Sequence, residues 1–279
     1  DIDRIKKDPE LNKQLWRYNG KTTTYLFFRT QEPPFNDVRV RKAIAQAIDK
    51  KTIADVLFKG TVLPAYTMRP PSFFRSVSDK YQHFQQHNPK AAQQLMADAG
   101  FPEGRGFPMV EMWLRDMSTA SQGGQAAQVI QQQLREILGI RMDIRNTQTN
   151  SFNQLMHEWK IPMGMVGYGA DFPDPQSMLG VPWRSQPQGF TRHDWTNKRF
   201  DDLIDRARGE TDREQRFQFY DEAEGILASD VGGAFLWHGQ GFQLRKPWLK
   251  GLQQDRSGFY PFWENNTVYG AMYIGGNDY

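Results

Sequence analysis

Alternating strand-like and helix-like segments between residues 108 and 170 constrain the fold of this chain more than any other feature of its sequence. Three apolar runs typical of strands occur there, at residues 108–116, 140–146 and 161–169. Amphipathic segments with helical spacing separate them. Strands that alternate with helices are typical of an α/β layer, because each helix carries the chain back across the sheet. The sequence therefore predicts an α/β fold built on a mixed sheet.

Other segments add to this layer. The β-branched and aromatic stretch at 22–30 predicts a strand, after a short helix or irregular lead-in at 1–20. Cap residues, apolar periodicity and terminal glycines predict further helices at 38–50, 50–60, 88–100, 198–209 and 212–230. Two strands are predicted at 232–239 and 241–246. Irregular loops are predicted at 61–87 and 170–197, and an irregular tail from Pro247.

The charge and cysteine content of the 279-residue chain exclude several classes of function. The 35 basic and 32 acidic residues are spread along the chain, so no phosphate-binding face and no nucleic-acid partner are predicted. The lack of cysteine excludes disulfides, thiolate zinc sites and a cysteine nucleophile. No apolar run reaches the roughly 18 residues of a membrane span. There is no initiator Met and no signal peptide, so we expect a fragment of a longer processed polypeptide.

An acidic, aromatic turn, "GYGADFPDPQSML" at 167–179, follows the predicted buried strand 161–169. It holds two carboxylates, Asp171 and Asp174, beside the rings of Tyr168 and Phe172. Four interpretations stay open: a turn that Asp caps and Pro stiffens, a glycosidase acid pair, a calcium site, or an anion that binds a ligand cation. "DFPD" offers few oxygen ligands for calcium, and a glycosidase needs a second, separated carboxylate.

The other candidate residues are isolated in the sequence. His238 lies at a predicted strand end without a Ser or Cys motif, and Arg115 ends a strand where it could meet an anion. Trp183, Trp195 and Trp237 could line a pocket, although tryptophans also fill cores. No nucleotide-binding, zinc-protease or serine-hydrolase motif is present. We therefore predict no enzyme activity, no cofactor and no metal.

Several segments resemble the family 5 extracellular solute-binding proteins, the peptide, oligopeptide and nickel receptors of ABC importers. The signature is "PPFNDVRVRKAIAQAIDKKTIADVLFKGTVLPAYTMRPP" at 33–71. Further matching segments, in order, are "NPKAAQQLMADAGF", "QVIQQQLREILGIRMDI", "GADFPDPQSML", "FDDLIDRA" and "FLWHGQGFQLRKPWLKG". The resemblance extends from Thr24 to Gly251. One departure is Arg29, where the family commonly has Asn.

The resemblance implies a type II, cluster C periplasmic-binding-protein-like receptor with two lobes, of which this chain would be the second. Residues 1–31 would be a lead-in and hinge strand, 32–250 the C-terminal ligand-binding lobe, and 251–279 a segment returning to the missing N-terminal lobe. That lobe, with its lipid or secretion signal, would precede Asp1. The expected location is the periplasm or the cell exterior, and the expected membrane partner is an ABC permease.

The resemblance also implies ligand contacts. In peptide-binding members an Asp in the turn after a strand pairs with the peptide α-ammonium, and Asp171 occupies the matching position. Asp174 and Pro175 would hold the turn, and Arg115 lies near a basic residue that binds the peptide carboxylate in some members. Tyr168, Phe172, Trp183, Trp195 and His238 are further expected ligand contacts. The alternatives are a nickel chelate or oligosaccharide ligand, a glycosidase-like enzyme, and a chaperone or adhesin.

Overall fold

The computed structural model describes residues 2–71, 73, 76–189, 193–251 and 273–275. Within these residues a six-stranded mixed sheet has the strand order β2-β6-β1-β5-β3-β4. Its strands are β1 (Leu15–Phe28), β2 (Val62–Pro64), β3 (Val110–Arg115), β4 (Met142–Thr147), β5 (Met163–Gly169) and β6 (Gly233–Leu244). Strand β3 is parallel to β4 and β5, and the remaining pairs are antiparallel. The predicted α/β fold with a mixed sheet is confirmed.

A separate two-stranded sheet pairs β7 (Leu249–Lys250) with β8 (Tyr273–Ile274). The predicted return segment, 251–279, otherwise lies largely outside the described residues. None of the helices in the described part is both long and apolar enough to cross a bilayer.

The helices in the described residues are α1 (Ile2–Lys7), α2 (Pro9–Lys13), α3 (Val38–Ala47), α4 (Lys50–Thr52), α5 (Ser78–Tyr81), α6 (Pro89–Asp98), α7 (Gln122–Leu138), α8 (Thr149–His157), α9 (Pro175–Met178), α10 (Gly180–Trp183), α11 (Lys198–Gly209) and α12 (Arg213–Ser229). The longer helices form where caps and periodicity predict them. A π-helix (Ile53–Leu57) continues α4, and 3₁₀ turns occur at Gln82–Phe84 and Pro102–Gly104. Asp37 and Asn88 cap α3 and α6 with their side chains. Gly139 ends α7 with a φ of 70°, a conformation that glycine adopts without steric cost.

Strands β1 and β6 are longer than the sequence predicts. β1 begins at Leu15, within the segment predicted to be a helix or irregular lead-in, because residues 15–19 pair with residues 240–244 of β6. The two strands predicted at 232–239 and 241–246 are one continuous strand, β6. The predicted loops also contain the short elements β2, α5, α9 and α10. Both extensions follow from pairing across more than 200 residues of sequence, which local patterns do not reveal.

Hydrophobic cores cover both faces of the sheet, and alternate residues of β1 contribute to each. Leu26 and Phe28 belong to the first core, which includes residues of α3, α6 and α7. Tyr25 and Phe27 belong to the second core, which includes residues of α8, α10, α11 and α12. Because successive strand side chains point to opposite faces, β1 is buried on both sides.

Two arginines, Arg69 and Arg29, join the irregular segments to this framework through ion pairs. Arg69, which is fully buried, donates to Glu224 and, at 2.7 Å, to Asp221, both on α12. Arg29 donates at 2.8 Å to the buried Asp194. The arginine that departs from the family pattern therefore has a structural partner within this chain.

We predict that Glu224→Gln lowers the free energy of unfolding by about 3 kcal/mol, because it removes one charge from a buried ion pair. The matched control is Glu222→Gln, two residues earlier on α12, whose pair with Arg199 is exposed (side chains 73% and 45% accessible). That change should cost less than about 1 kcal/mol. Urea unfolding of both variants measures the difference, and equal losses would contradict the prediction.

Candidate functional site

The acidic turn begins where β5 ends, near the middle of the sheet. β5 lies between β1 and β3 and ends at Gly169, and α9 begins at Pro175. The backbone N–H of Ala170 donates to the Lys21 carbonyl at 3.0 Å, which ties the start of the turn to β1. In open α/β sheets, ligands bind outside the carboxyl ends of the strands, so this turn occupies a favourable place for a binding site.

Asp171 presents an exposed carboxylate that other groups hold in place. Its Oδ2 accepts a hydrogen bond from the Tyr168 hydroxyl at 3.1 Å. Its backbone N–H donates to the Ser177 hydroxyl at 2.8 Å. Among the residues that the structure describes, no basic side chain pairs with Asp171, and its Oδ1 accepts no hydrogen bond. The turn therefore offers a negative charge that is not neutralised by a neighbouring cation.

Asp174, three residues later, has a different role. It caps α9 through the Gln176 N–H, and Arg216 of α12 donates to both of its oxygens, at 2.7 and 2.8 Å. This ion pair raises the pKa of Arg216, and burial raises the pKa of the adjacent Tyr220 to about 12. Because Arg216 occupies both oxygens of Asp174, Asp174 is poorly suited to be the second acid of a glycosidase pair.

Arg115 ends β3, the strand next to β5. Leu114 pairs in parallel with Met165. Arg115 therefore lies beside the middle of β5, several residues before the turn begins. Arg115 and Trp113 are two residues apart and share a sheet face, the face on which Trp113 and Tyr168 contact the second core. Its guanidinium donates to Asn153 of α8 at 3.3 Å, and within the described chain no carboxylate pairs with it.

The aromatic residues predicted to contact ligand divide into two groups. Phe172 is 41% exposed in the turn beside Asp171. Trp183 and Trp195 lie in the core, 0% and 2% exposed, with ring centroids 6.1 Å apart. The structure thus brings Tyr168, Asp171 and Phe172 together, and it surrounds both tryptophans with other side chains.

His238 also lies in the interior, 1% exposed. Its Nδ1 is 2.8 Å from the Thr23 hydroxyl, which donates to the Met68 carbonyl at 2.7 Å. Since that hydroxyl proton is used, Nδ1 carries the imidazole proton, and Nε2 has no partner in the described part of the chain. Burial, aided by the charge of Lys50, lowers the pKa of His238 to about 3. We therefore leave His238, Trp183 and Trp195 out of the candidate site.

Ser177, Arg216 and Asn153 contribute to the site but are absent from the sequence-based candidates. Asp174 followed by Pro175 is a recognisable helix start. It could have indicated that Ser177, in the first turn of that helix, lies close to the residues that precede the helix. Arg216 is 42 residues from Asp174, and no local pattern connects them. In the described residues, no group of three or more His, Cys, Asp or Glu side chains could hold a metal ion.

Comparisons with known proteins agree with the fold. The family model "Bacterial extracellular solute-binding proteins, family 5 Middle" matches residues 1–190. Heme-binding protein A of Haemophilus influenzae is 28% identical over 94% of this chain and 47% of its own length. The dipeptide-binding protein of Escherichia coli is 24% identical over 96% of this chain and 49% of its own length. The chain thus spans about half the length of these curated relatives.

A solved structure is also similar to most of this chain. The dipeptide-binding protein from Pseudoalteromonas sp. SM9913, in complex with Met-Leu, aligns with a TM-score of 0.74 and 25% identity. The alignment covers 94% of this chain and 50% of that protein.

Because His238 is buried and its pKa is lowered, we predict that the folded chain loses stability in acid. Its pKa is about 3 in the folded chain and near 6.5 when unfolded, so only the unfolded chain takes up this proton between those values. Its contribution to the free energy of unfolding should fall by about 2 kcal/mol between pH 7 and pH 5. Urea titrations across this range should show a shallower pH dependence for His238→Gln. An identical slope in the variant would contradict the prediction.

Proposed function

The chain belongs to family 5 of the bacterial extracellular solute-binding proteins, and from this membership we propose that it forms one lobe of a peptide receptor for an ABC importer. The receptor captures a peptide between two lobes and delivers it to a membrane permease. No bond in the ligand is broken. Relatives named as dipeptide- and oligopeptide-binding proteins support the peptide assignment.

The exposed carboxylate of Asp171 is the observation that carries the proposal. Asp174, Asp194 and Glu224 each form an ion pair with an arginine of the chain. Asp171 forms none among the described residues and receives a single neutral hydrogen bond at its side chain. In our proposal the peptide α-ammonium supplies the missing cation. A charge-assisted bond in a closed, dry cleft is strong, and removing one partner costs about 2–5 kcal/mol.

Two further residues complete the proposed contacts. Phe172 offers an exposed ring beside Asp171, against which the first side chain of the peptide packs. Arg115, held by Asn153, binds the peptide carboxylate. The guanidinium is suited to this task because it presents paired donors to a carboxylate.

The proposed division of the chain follows its two long strands. Residues 22–28 of β1 pair with β5, whereas residues 15–19 pair with the end of β6. This two-stranded extension is the proposed hinge, so residues 1–31 lead in, 32–250 form the ligand-binding lobe and 251–279 return to the other lobe. Ligand contacts made by both lobes favour the closed form that the permease recognises. The names of periplasmic relatives support a location outside the inner membrane.

A non-peptide ligand is the alternative, and one relative gives it a specific form. The Haemophilus influenzae protein is named for haem binding. Haem carries carboxylates but no ammonium, so it would not use Asp171 as proposed. Haem therefore belongs in the test as a competing ligand, together with a nickel chelate and an oligosaccharide.

We predict that Asp171→Asn weakens the binding of peptides with a free amino terminus at least tenfold. The change removes the negative charge and keeps the size of the side chain. N-acetylation of the peptide should cost a similar factor, because it removes the matching positive charge. A tenfold loss corresponds to about 1.4 kcal/mol. Calorimetric titration of the full-length protein with di-, tri- and oligopeptides and their N-acetylated twins measures both effects.

Asp202→Asn is the control, because Asp202 lies on α11 and pairs with the exposed Lys198. It should bind every peptide as the parent protein does. Two results would refute the proposal: binding that ignores both acetylation and the Asp171 change, or no peptide binding accompanied by binding of haem, the chelate or the oligosaccharide.

A further inference from the structure

We propose that Tyr168 is a positioning residue for the ligand ammonium, which it reaches through Asp171 rather than by direct contact. The inference rests on the proposed function, in which Asp171 is the ammonium anchor. The Tyr168 hydroxyl holds Oδ2 of Asp171 at 3.1 Å. Oδ1 is thereby directed to the position that the ammonium takes.

Tyr168 is well placed to hold another side chain because its own position is fixed. It lies in β5 and pairs directly with Thr23 of β1, in the middle of the sheet. The residue belongs to the second core and is 7% exposed. The ring is therefore held by packing and the backbone by the strand ladder, which leaves the hydroxyl as the part of Tyr168 that reaches Asp171.

The backbone of Asp171 is fixed independently. Its N–H donates to the hydroxyl of Ser177, a fully buried residue of α9. The N–H of Ser177 in turn donates to the carbonyl of Asp174 at 2.9 Å. With the backbone held in this way, the two side-chain torsions of Asp171 remain, and the Tyr168 hydrogen bond restrains both.

This arrangement orients the carboxylate without neutralising it. A lysine or arginine in place of the hydroxyl would cancel the charge and compete with the ligand, as Arg216 does at Asp174. A tyrosine hydroxyl is a neutral donor that uses one lone pair of Oδ2. The carboxylate therefore keeps its charge and does not have to be ordered when the ligand arrives, which lowers the entropic cost of binding.

Tyr168→Phe in the full-length protein tests the inference, because it removes the hydroxyl and keeps the ring. The probes are Met-Leu and a mixed tripeptide library, each with a free amino terminus and each N-acetylated. We expect Tyr168→Phe to weaken binding of the free-amine probes about tenfold and to leave the acetylated probes within twofold. A residue that merely supported the fold would weaken both forms alike.

Tyr220→Phe is the matched control. The Tyr220 hydroxyl contacts Gln176 and Arg216, so it supports the Asp174 side of the same turn without touching Asp171. It should bind both forms of each probe within twofold of the parent protein.

The remaining outcomes separate this inference from the proposed function. Free-amine binding that is unchanged in Tyr168→Phe but lost in Asp171→Asn overturns the positioning role and leaves the anchor intact. Equal weakening of free and acetylated probes by Tyr168→Phe shows a structural role and also overturns it. Binding that is unchanged in both variants, or no peptide binding at all, refutes the proposed function, and the inference fails with it.

Discussion

The pairing of β1 with both β5 and β6 is the constraint on which the rest of this structure depends. On one side of β1, strands β5, β3 and β4 form a parallel unit with helical connections. On the other side, β6 and β2 form an antiparallel unit. β1 joins the two and carries residues of both hydrophobic cores, from Tyr25 to Phe28, each at most 1% exposed. Burying a large apolar side chain contributes about 1.5–3 kcal/mol, so this short stretch stabilises both layers.

The acidic groups of the chain are distinguished by their partners. Asp194 and Glu224 are buried beside Arg29 and Arg69, and removal of either arginine would leave a buried carboxylate without its cation. Asp174 is only partly buried, yet Arg216 binds both of its oxygens. Asp171 keeps its charge without an internal cation in the described part of the chain. A structural carboxylate and a candidate binding carboxylate thus lie three residues apart in one turn.

Much of the fold could be predicted from the sequence because its signals are local. Alternating strands and helices, the caps Asp37 and Asn88, and the glycine after α7 all act within a few residues. The sequence predicts the acidic turn after β5 for the same reason. Long-range relations could not be predicted: the early start of β1, the continuity of β6, and the reach of Arg216 to Asp174 each depend on residues brought together by folding.

The sequence also does not show which of the candidate aromatic residues are exposed and which are buried. Tryptophan is as suitable for a ligand cleft as for a core, so the sequence alone could not separate Phe172, which is exposed, from Trp183 and Trp195, which are buried. His238 was ambiguous for the same reason. A strand end was predicted for it, but β6 continues past it and β1 and β2 cover it from both sides.

The central place of β1 has a consequence for the order of events during synthesis. Thr23 and His238, which are hydrogen-bonded partners in adjacent strands, are 215 residues apart in the chain. β1 is synthesised before both of its neighbours, β5 and β6. Closing so long a loop is entropically costly, and chains rich in such contacts fold slowly. The sheet of this chain therefore cannot be completed until β6 has been made, and until then the apolar strand β1 has at least one edge unpaired.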